Sequence, residues 1–190
     1  VGVSLGEVEG AESPSRMRSL IPALGLLIGI SCEPYSAYPP PPERWASDSV
    51  GLLSPATLGA LDRKLGQYQL QSGHSVLVYV TDSSHGIPHD EWATTVYNRW
   101  TVGRKGLDDG AVLFVFTEDR YRWLAVGYGF ERALPDRECA RICRSIVKPA
   151  MEAGNPDAGI TAGVDAILTA IERWDAAKAE TSGVSAYVSP

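Results

Sequence analysis

Two short runs rich in β-branched and aromatic residues, SVLVYVT (75–81) and AVLFVF (111–116), constrain this chain more than any other feature. Neither alternates polar with apolar residues, so each reads as a strand buried on both faces, and a sheet of such strands needs a cover above and below. Helical patterns supply the cover. Ser54 as N-cap and Pro55 at the first helical position open a helix whose Leu58, Leu61, Leu65 and Tyr68 form one stripe, ended by Gly73. Pro88 opens a second helix with Trp92, Val96, Tyr97 and Trp100. TEDR (117–120) is a turn, and YRWLAVG (121–127) returns as a third strand. Asp136 caps a third helix, which carries Ile142, Ile146 and Ala150 on one side and stops near Gly154. A fourth helix runs from about Asp157 to Lys178, with Val164, Ile167, Leu168, Ile171 and Trp174 facing inward. The order α-β-α-β-β-α-α predicts an α/β fold, a three-layer α/β/α sandwich with a small mixed β-sheet.

The chain of 190 residues, 44% apolar and 21% charged, has room for one well-cored domain plus extensions. A net charge of −6 offers no basic excess to neutralise phosphates, so no nucleic-acid partner is expected. Three cysteines do not make a disulfide framework.

The apolar run Leu20 to Ile30 is eleven residues long, short of the roughly 20 that a membrane helix needs. Arg16 and Arg18 precede it, and the small residues Gly29 and Ser31 stand just before Cys32. This is the layout of an export signal over residues 17–31, with Met17 as the start and residues 1–16 expected to be untranslated or disordered. GISC resembles a bacterial lipobox, with Gly29 where Leu, Val or Ile is usual. The expectation is a lipoprotein anchored at the membrane through lipidated Cys32, on the periplasmic or extracellular side; free secretion is the alternative. Residues 33–47 hold five prolines in fifteen residues, four of them consecutive, which favours a stiff polyproline II spacer over 32–47. The domain is then expected over 48–178 and a flexible tail over 179–190.

Topology brings one group of residues together. The second and third strands form a hairpin, so GLDDG (106–110) and GYGFERALPD (127–136) meet at one end of the sheet. Asp108, Asp109, Glu131 and Asp136 share that neighbourhood, and the glycines at 106, 110, 127 and 129 are expected to expose carbonyl oxygens. Carboxylates with backbone carbonyls are what Ca²⁺ takes as ligands. The plainer alternative makes Asp108 and Asp109 turn residues and Asp136 a helix cap, with Arg104, Lys105, Arg132 and Arg137 neutralising the acids.

Four segments in register, SDSVGLLSPATLGALDRKL, YNRWTVGRKGLDDGAVLFVF, AVGYGFERALPD and IVKPAMEAGNPDAGITAGVDAI, resemble the TPM domains, a family named for thylakoid-lumen, photosystem-repair and membrane members. The resemblance covers roughly residues 48–174. It implies an α/β/α sandwich, export or membrane attachment and, in some members, calcium binding; weak acid phosphatase activity has been attributed to chloroplast members. Asp48 matches the acid of the family's D-x-x-G-L-L-S segment and joins the candidate metal ligands. Asp108-Asp109 stands where the family often has Asp-Asn.

Other chemistry is poorly supported. Pro88 separates His85 from His89 and spoils a shared zinc-binding face. Cys139 and Cys143, four apart and in line with Ile142 and Ile146, read as core residues. GYGFER lacks the third glycine of a dinucleotide loop. No cysteine is followed six residues later by arginine, and there is no serine elbow or phosphoaspartate motif, so phosphate-ester hydrolysis would need a bound metal. The sequence therefore favours an envelope-anchored binding or assembly domain, stabilised by a divalent cation and assisting membrane-protein maintenance. The alternative is a metal-dependent acid phosphatase.

Overall fold

The structure, a computed structural model, describes residues 38–185. The export signal, Cys32 and the first part of the proline-rich segment lie outside the described residues. No described helix is long and apolar enough to cross a membrane.

Four strands form one sheet: β1 (Ala46–Asp48), β2 (Ser75–Thr81), β3 (Gly110–Phe116) and β4 (Tyr121–Val126), in spatial order β1-β2-β3-β4. The pairs β1–β2 and β2–β3 are parallel, and β3–β4 is antiparallel, with Ala111 opposite Val126 and Phe116 opposite Tyr121. The hairpin and the mixed sheet are as the sequence predicts. All of β3 is buried, as expected of a central strand covered on both faces.

Side-chain alternation along β3 divides the core. Ala111, Leu113 and Val115 face α1 (Pro55–Ser72), α5 (Pro156–Ser185) and an interrupted helix between them; Val112, Phe114 and Phe116 face α2 (His89–Trp100). On the α2 side Trp92 is 1% exposed and meets Phe114 and Phe116 edge to face, 5.5 and 5.2 Å between ring centres. On the other side Leu61 and Leu65 of α1 join Ile160, Val164, Ile167 and Ile171 of α5. The N-cap bond from Thr57 N–H to Ser54 Oγ is present, and Ser54 N–H also donates to Asp157 Oδ1 at 2.9 Å, tying the starts of α1 and α5 together.

Four features depart from the sequence expectations. Strand β1 was not anticipated, and it lies partly within the expected spacer. Trp45 N–H donates to Asp62 Oδ1 on α1 at 2.8 Å, Trp45 C=O accepts from Val78 N–H, and Trp100 Nε1 donates to Pro39 C=O. From Tyr38 onward this segment packs on the domain and does not stand clear of it. Next, Asp136 is the first residue of α3 (Asp136–Arg141), not its cap; extended Pro135 holds the capping position. A π-helical turn (Ile142–Val147) then separates α3 from α4 (Lys148–Glu152). Its extra residue shifts the buried line from Ile142, Ile146 and Ala150 to Ile142, Cys143 and Val147. Last, α5 continues to Ser185, because residues 176–182 contain good helix formers and no glycine or proline.

Candidate functional site

Strand β4 is the outer strand, and among the described residues no strand pairs with its free edge. Gly127 N–H donates to Gly110 C=O at 2.9 Å, which makes these two a directly bonded pair. Antiparallel alternation then aims the backbone groups of Tyr121, Trp123 and Ala125 at β3, and those of Arg122, Leu124 and Val126 away from it. This edge forms the floor of a groove of about 1890 Å³. Thr94, Tyr97 and Asn98 of α2 form one wall, and Cys139, Cys143 and Arg144 of α3 and the π turn form the other. The π turn brings Cys143 close to the strand at Leu124, whose N–H favours the thiolate slightly against the effect of burial.

The groove's inner end is built by close backbone approach. Asp108, at φ 48°, turns its carbonyl to accept from Gly129 N–H at 3.1 Å. A Cβ on Gly127 would lie 2.1 Å from Asp108 C=O, and one on Gly129 would lie 2.1 Å from Leu107 C=O, so neither position has room for a side chain. Tyr97 Oη donates to Val102 and Gly110 carbonyls at 3.2 Å each. Its hydroxyl is pushed up to about 12, by burial first and then by the Asp108 and Asp109 charges. Of the glycine carbonyls expected to be exposed, those of Gly110 and Gly127 already accept hydrogen bonds, the first from Gly127 N–H and Tyr97 Oη and the second from Phe130 N–H.

The five candidate acids do not form one site. Asp108, Glu131 and Asp136 line the groove. Asp109 turns inward, 4% exposed, accepting from Arg104 N–H at 2.8 Å and Nε at 2.7 Å and facing His74 Nδ1 at 2.9 Å. Burial pushes its carboxyl up, but hydrogen bonds from the Arg104 side chain and backbone, then His74, outweigh it and hold the pKa at about 2. Asp48 lies at the opposite end of the sheet, in register with Val80, whereas Gly110 pairs with Ser75. Its Oδ1 accepts from Val50 and Gly51 N–H and its Oδ2 from Leu53 N–H, at 2.7–3.0 Å, so it shapes the loop into α1. Among the described residues no three of His, Cys, Asp or Glu are grouped to hold a metal ion. As placed, the acids do not fit a ready-made calcium site.

Sequence reasoning named Arg104 among the residues that could neutralise the acids but missed the other partner of Asp109, His74. His74, 9% exposed, bridges Asp109 through Nδ1 and Asp175 of α5 through Nε2, each at 2.9 Å, and packs edge-on to Phe130. A neutral imidazole carries one N–H, so only the doubly protonated ring donates to both carboxylates. The one local clue is a histidine between a helix-ending glycine and a buried strand. Asp175, 101 residues away, gives none.

The remaining histidines and cysteines follow the plainer expectations. His85, at φ 54°, faces Asp82, while His89 stacks on Tyr121 at 4.2 Å and bonds Asp119 at 3.0 Å. Cys143 is buried and Cys139 half-buried, both as free thiols.

The fold has counterparts among solved structures. A solution structure of the N-terminal domain of a P. gingivalis protein has a TM-score of 0.63 at 26% identity, covering 68% of this chain and 82% of that one. The BA42 protein of Bizionia argentinensis gives 0.56 at 16% identity, covering 64% and 83%. The N-terminal domain of cg2496 from Corynebacterium glutamicum gives 0.53 at 12%, covering 70% and 84%; these last two show the fold alone. No curated protein matches the sequence significantly. The family model TPM_phosphatase, described as the TPM domain, matches residues 46–170, from β1 into α5 and through every element that builds the groove. The chain belongs to the TPM domain family.

Proposed function

We propose that this chain is an envelope-anchored TPM domain that works by binding, assisting the assembly or upkeep of membrane proteins, and that its working surface is the groove along β4. The observation that carries this reading is an unpaired strand edge at the floor of a groove walled by helices on both sides. Such an edge is a template for main-chain hydrogen bonding. No serine, cysteine or histidine in the groove is set against an activating partner: Cys139 and Cys143 are pushed up to about 12 and about 11, chiefly by burial, and are held as thiols. Lipidated Cys32 supplies the anchor in this reading, and a divalent cation, where one binds, is held by Asp108, Glu131 and Asp136.

The test is made in the host. A chromosomal Arg122→Glu/Arg144→Glu variant, expressed and folded at wild-type level, should reproduce the phenotype of a deletion. Cys32→Ala should release the protein from the membrane fraction. A groove variant that behaves as wild type where the deletion does not would refute the binding reading.

A second reading, metal-dependent phosphatase, draws on the groove acids lying beside Arg104 and Lys105, a combination suited to a cation and a phosphate. Turnover of 4-nitrophenyl phosphate by the full chain with Ca²⁺ or Mg²⁺, abolished by Asp108→Asn/Glu131→Gln, would establish it.

A further inference from the structure

The groove's shape and charge go further than binding in general. We propose that the open edge of β4 takes up an acidic, extended segment of a partner protein as a fifth strand of the sheet. This rests on the reading of the domain as a binding module and names how it binds and what it binds.

Three observations support it. The first is the register. Arg122, Leu124 and Val126 aim their N–H and C=O groups into the groove, spaced two residues apart as an added strand requires. None of the six has a backbone partner among the described residues, and the Leu124 N–H lies near the Cys143 sulfur without a well-formed hydrogen bond to it. A thiol is a weak acceptor, and a peptide carbonyl would displace it.

The second is shape. The edge lies below two helical walls, α2 and the α3–π segment. A single extended chain reaches such an edge. The edge of another folded sheet does not, because its own covering helices would meet these walls first.

The third is charge. The whole chain carries −6, yet Arg120, Arg122 and Arg144 all line the groove, the first two flanking Tyr121 at the start of β4. Arg122 shares the sheet face of Leu124 and Val115, the face covered by the π turn that carries Arg144, and both arginines act electrostatically on Cys143. Among the described residues none of the three is in an ion pair, whereas Arg104 is held by Asp109 and Lys148 by Glu152. Unpaired cations beside an edge strand repel a second copy, which would bring the same cations. They complement carboxylates on an incoming strand and steer it into place. Of the groove's acids, Asp108 meets Gly129 beyond Val126, Glu131 and Asp136 follow it in the chain, and Glu152 is paired with Lys148, so the partner's carboxylates belong at the Arg122 end.

The probe is a capped heptapeptide alternating glutamate with valine, titrated into the full ¹⁵N-labelled chain. Three controls accompany it: the same peptide with lysine for glutamate, one with N-methylated alternate residues, and the Arg122→Glu/Arg144→Glu protein. The glutamate peptide should shift the amides of Arg122, Leu124 and Val126 and slow their hydrogen exchange. N-methylation should weaken binding at least tenfold, because it removes the N–H groups that pair with β4. The charge-reversed protein should lose the glutamate peptide by a similar factor and gain the lysine peptide, with its melting temperature unchanged. Peptide binding whose shifts fall elsewhere, or which ignores N-methylation, overturns the fifth strand and leaves the binding-module reading intact. Equal affinity for the two charge types overturns the acidic partner. Protection of the β4 amides that grows with protein concentration and no peptide would show a second copy on the edge, overturning the proposal. No binding at any concentration, with the host phenotype of the groove variant intact, also overturns it.

Discussion

His74 Nδ1 lies 2.9 Å from Asp109 Oδ2, joining the start of β2 to the loop before β3 across 35 residues of chain. With Arg104 on the same oxygen, the pair gives the protein a defined acid response. Asp109 has its pKa lowered from 3.8 to about 2. Its stabilisation is therefore full above the unfolded value and is lost as pH falls through about 2. Asp109→Asn should cost on the order of 2 kcal/mol at pH 7, by the usual conversion of pKa shift to free energy. Denaturant unfolding of both proteins between pH 7 and pH 2 should show the gap closing only below pH 4. A gap that is constant with pH would assign the cost to packing.

Both histidine nitrogens contact carboxylates at the same distance, but the two contacts differ in environment. Asp109 has a side chain 6% exposed, and that of Asp175 is 38% exposed. Solvent screens the second contact. Double-mutant cycles with His74→Gln should give a coupling of roughly 1–2 kcal/mol to Asp109→Asn and under about 1 kcal/mol to Asp175→Asn. The reverse order would mean that the α5 contact fixes the imidazole.

Gly127→Ala should destabilise the protein by roughly 2–3 kcal/mol, about 5–10 °C in melting temperature, as expected of overpacking against backbone. The new Cβ would meet Asp108 C=O at 2.1 Å and Tyr97 Oη at 2.5 Å. Adding Tyr97→Phe should not rescue it, since the carbonyl clash remains. Full rescue would show that the loop carrying Asp108 yields easily.

Cys139 and Cys143 should resist alkylation in the native protein. With pKa values of about 12 and about 11, each has far less thiolate at pH 8 than an exposed cysteine. Iodoacetamide labelling should slow at least a hundredfold relative to the denatured chain, followed by mass spectrometry of the two peptides. Rapid native labelling, or a disulfide between them, would show that this wall of the groove opens.

What was legible in the sequence follows from how locally each feature is determined. The three longer strands and α1, α2 and α5 announce themselves through uninterrupted apolar runs or a 3.6-residue stripe, and the hairpin followed from TEDR. Strand β1 did not, because its three residues, Ala46, Ser47 and Asp48, have no pattern and are held by Asp62 and β2. The π turn was hidden because one extra residue leaves composition unchanged while it rotates Cys143 into the core. For the site, the hairpin argument correctly brought Asp108 to Gly129. It could not tell which carboxylates point into the groove. Asp109 points inward because His74 and Asp175, remote in sequence, complete its surroundings, and Asp48 spends its oxygens on its own loop.

Calcium provides the last test, and the placement of the acids decides which residues it can involve. Asp109 is paired with Arg104 and in contact with His74, and Asp48 is bound to three amides at the far end of the sheet. Of the candidate acids, Asp108, Glu131 and Asp136 line the groove, and its other acid, Glu152, is paired with Lys148. A cation binding the folded state alone stabilises it by about 2.7 kcal/mol at a hundredfold excess over its dissociation constant. If these three acids draw together around calcium, it raises the melting temperature of the full chain, and magnesium raises it less, because it demands stricter octahedral geometry. Asp108→Asn/Glu131→Gln should abolish that rise, while Asp48→Asn should leave its size unchanged despite lowering the baseline. The Asp48 variant separates two chemistries. If it removes the calcium response, the ion sits at the carboxyl end of the parallel strands, and the acids of the groove serve only its partner.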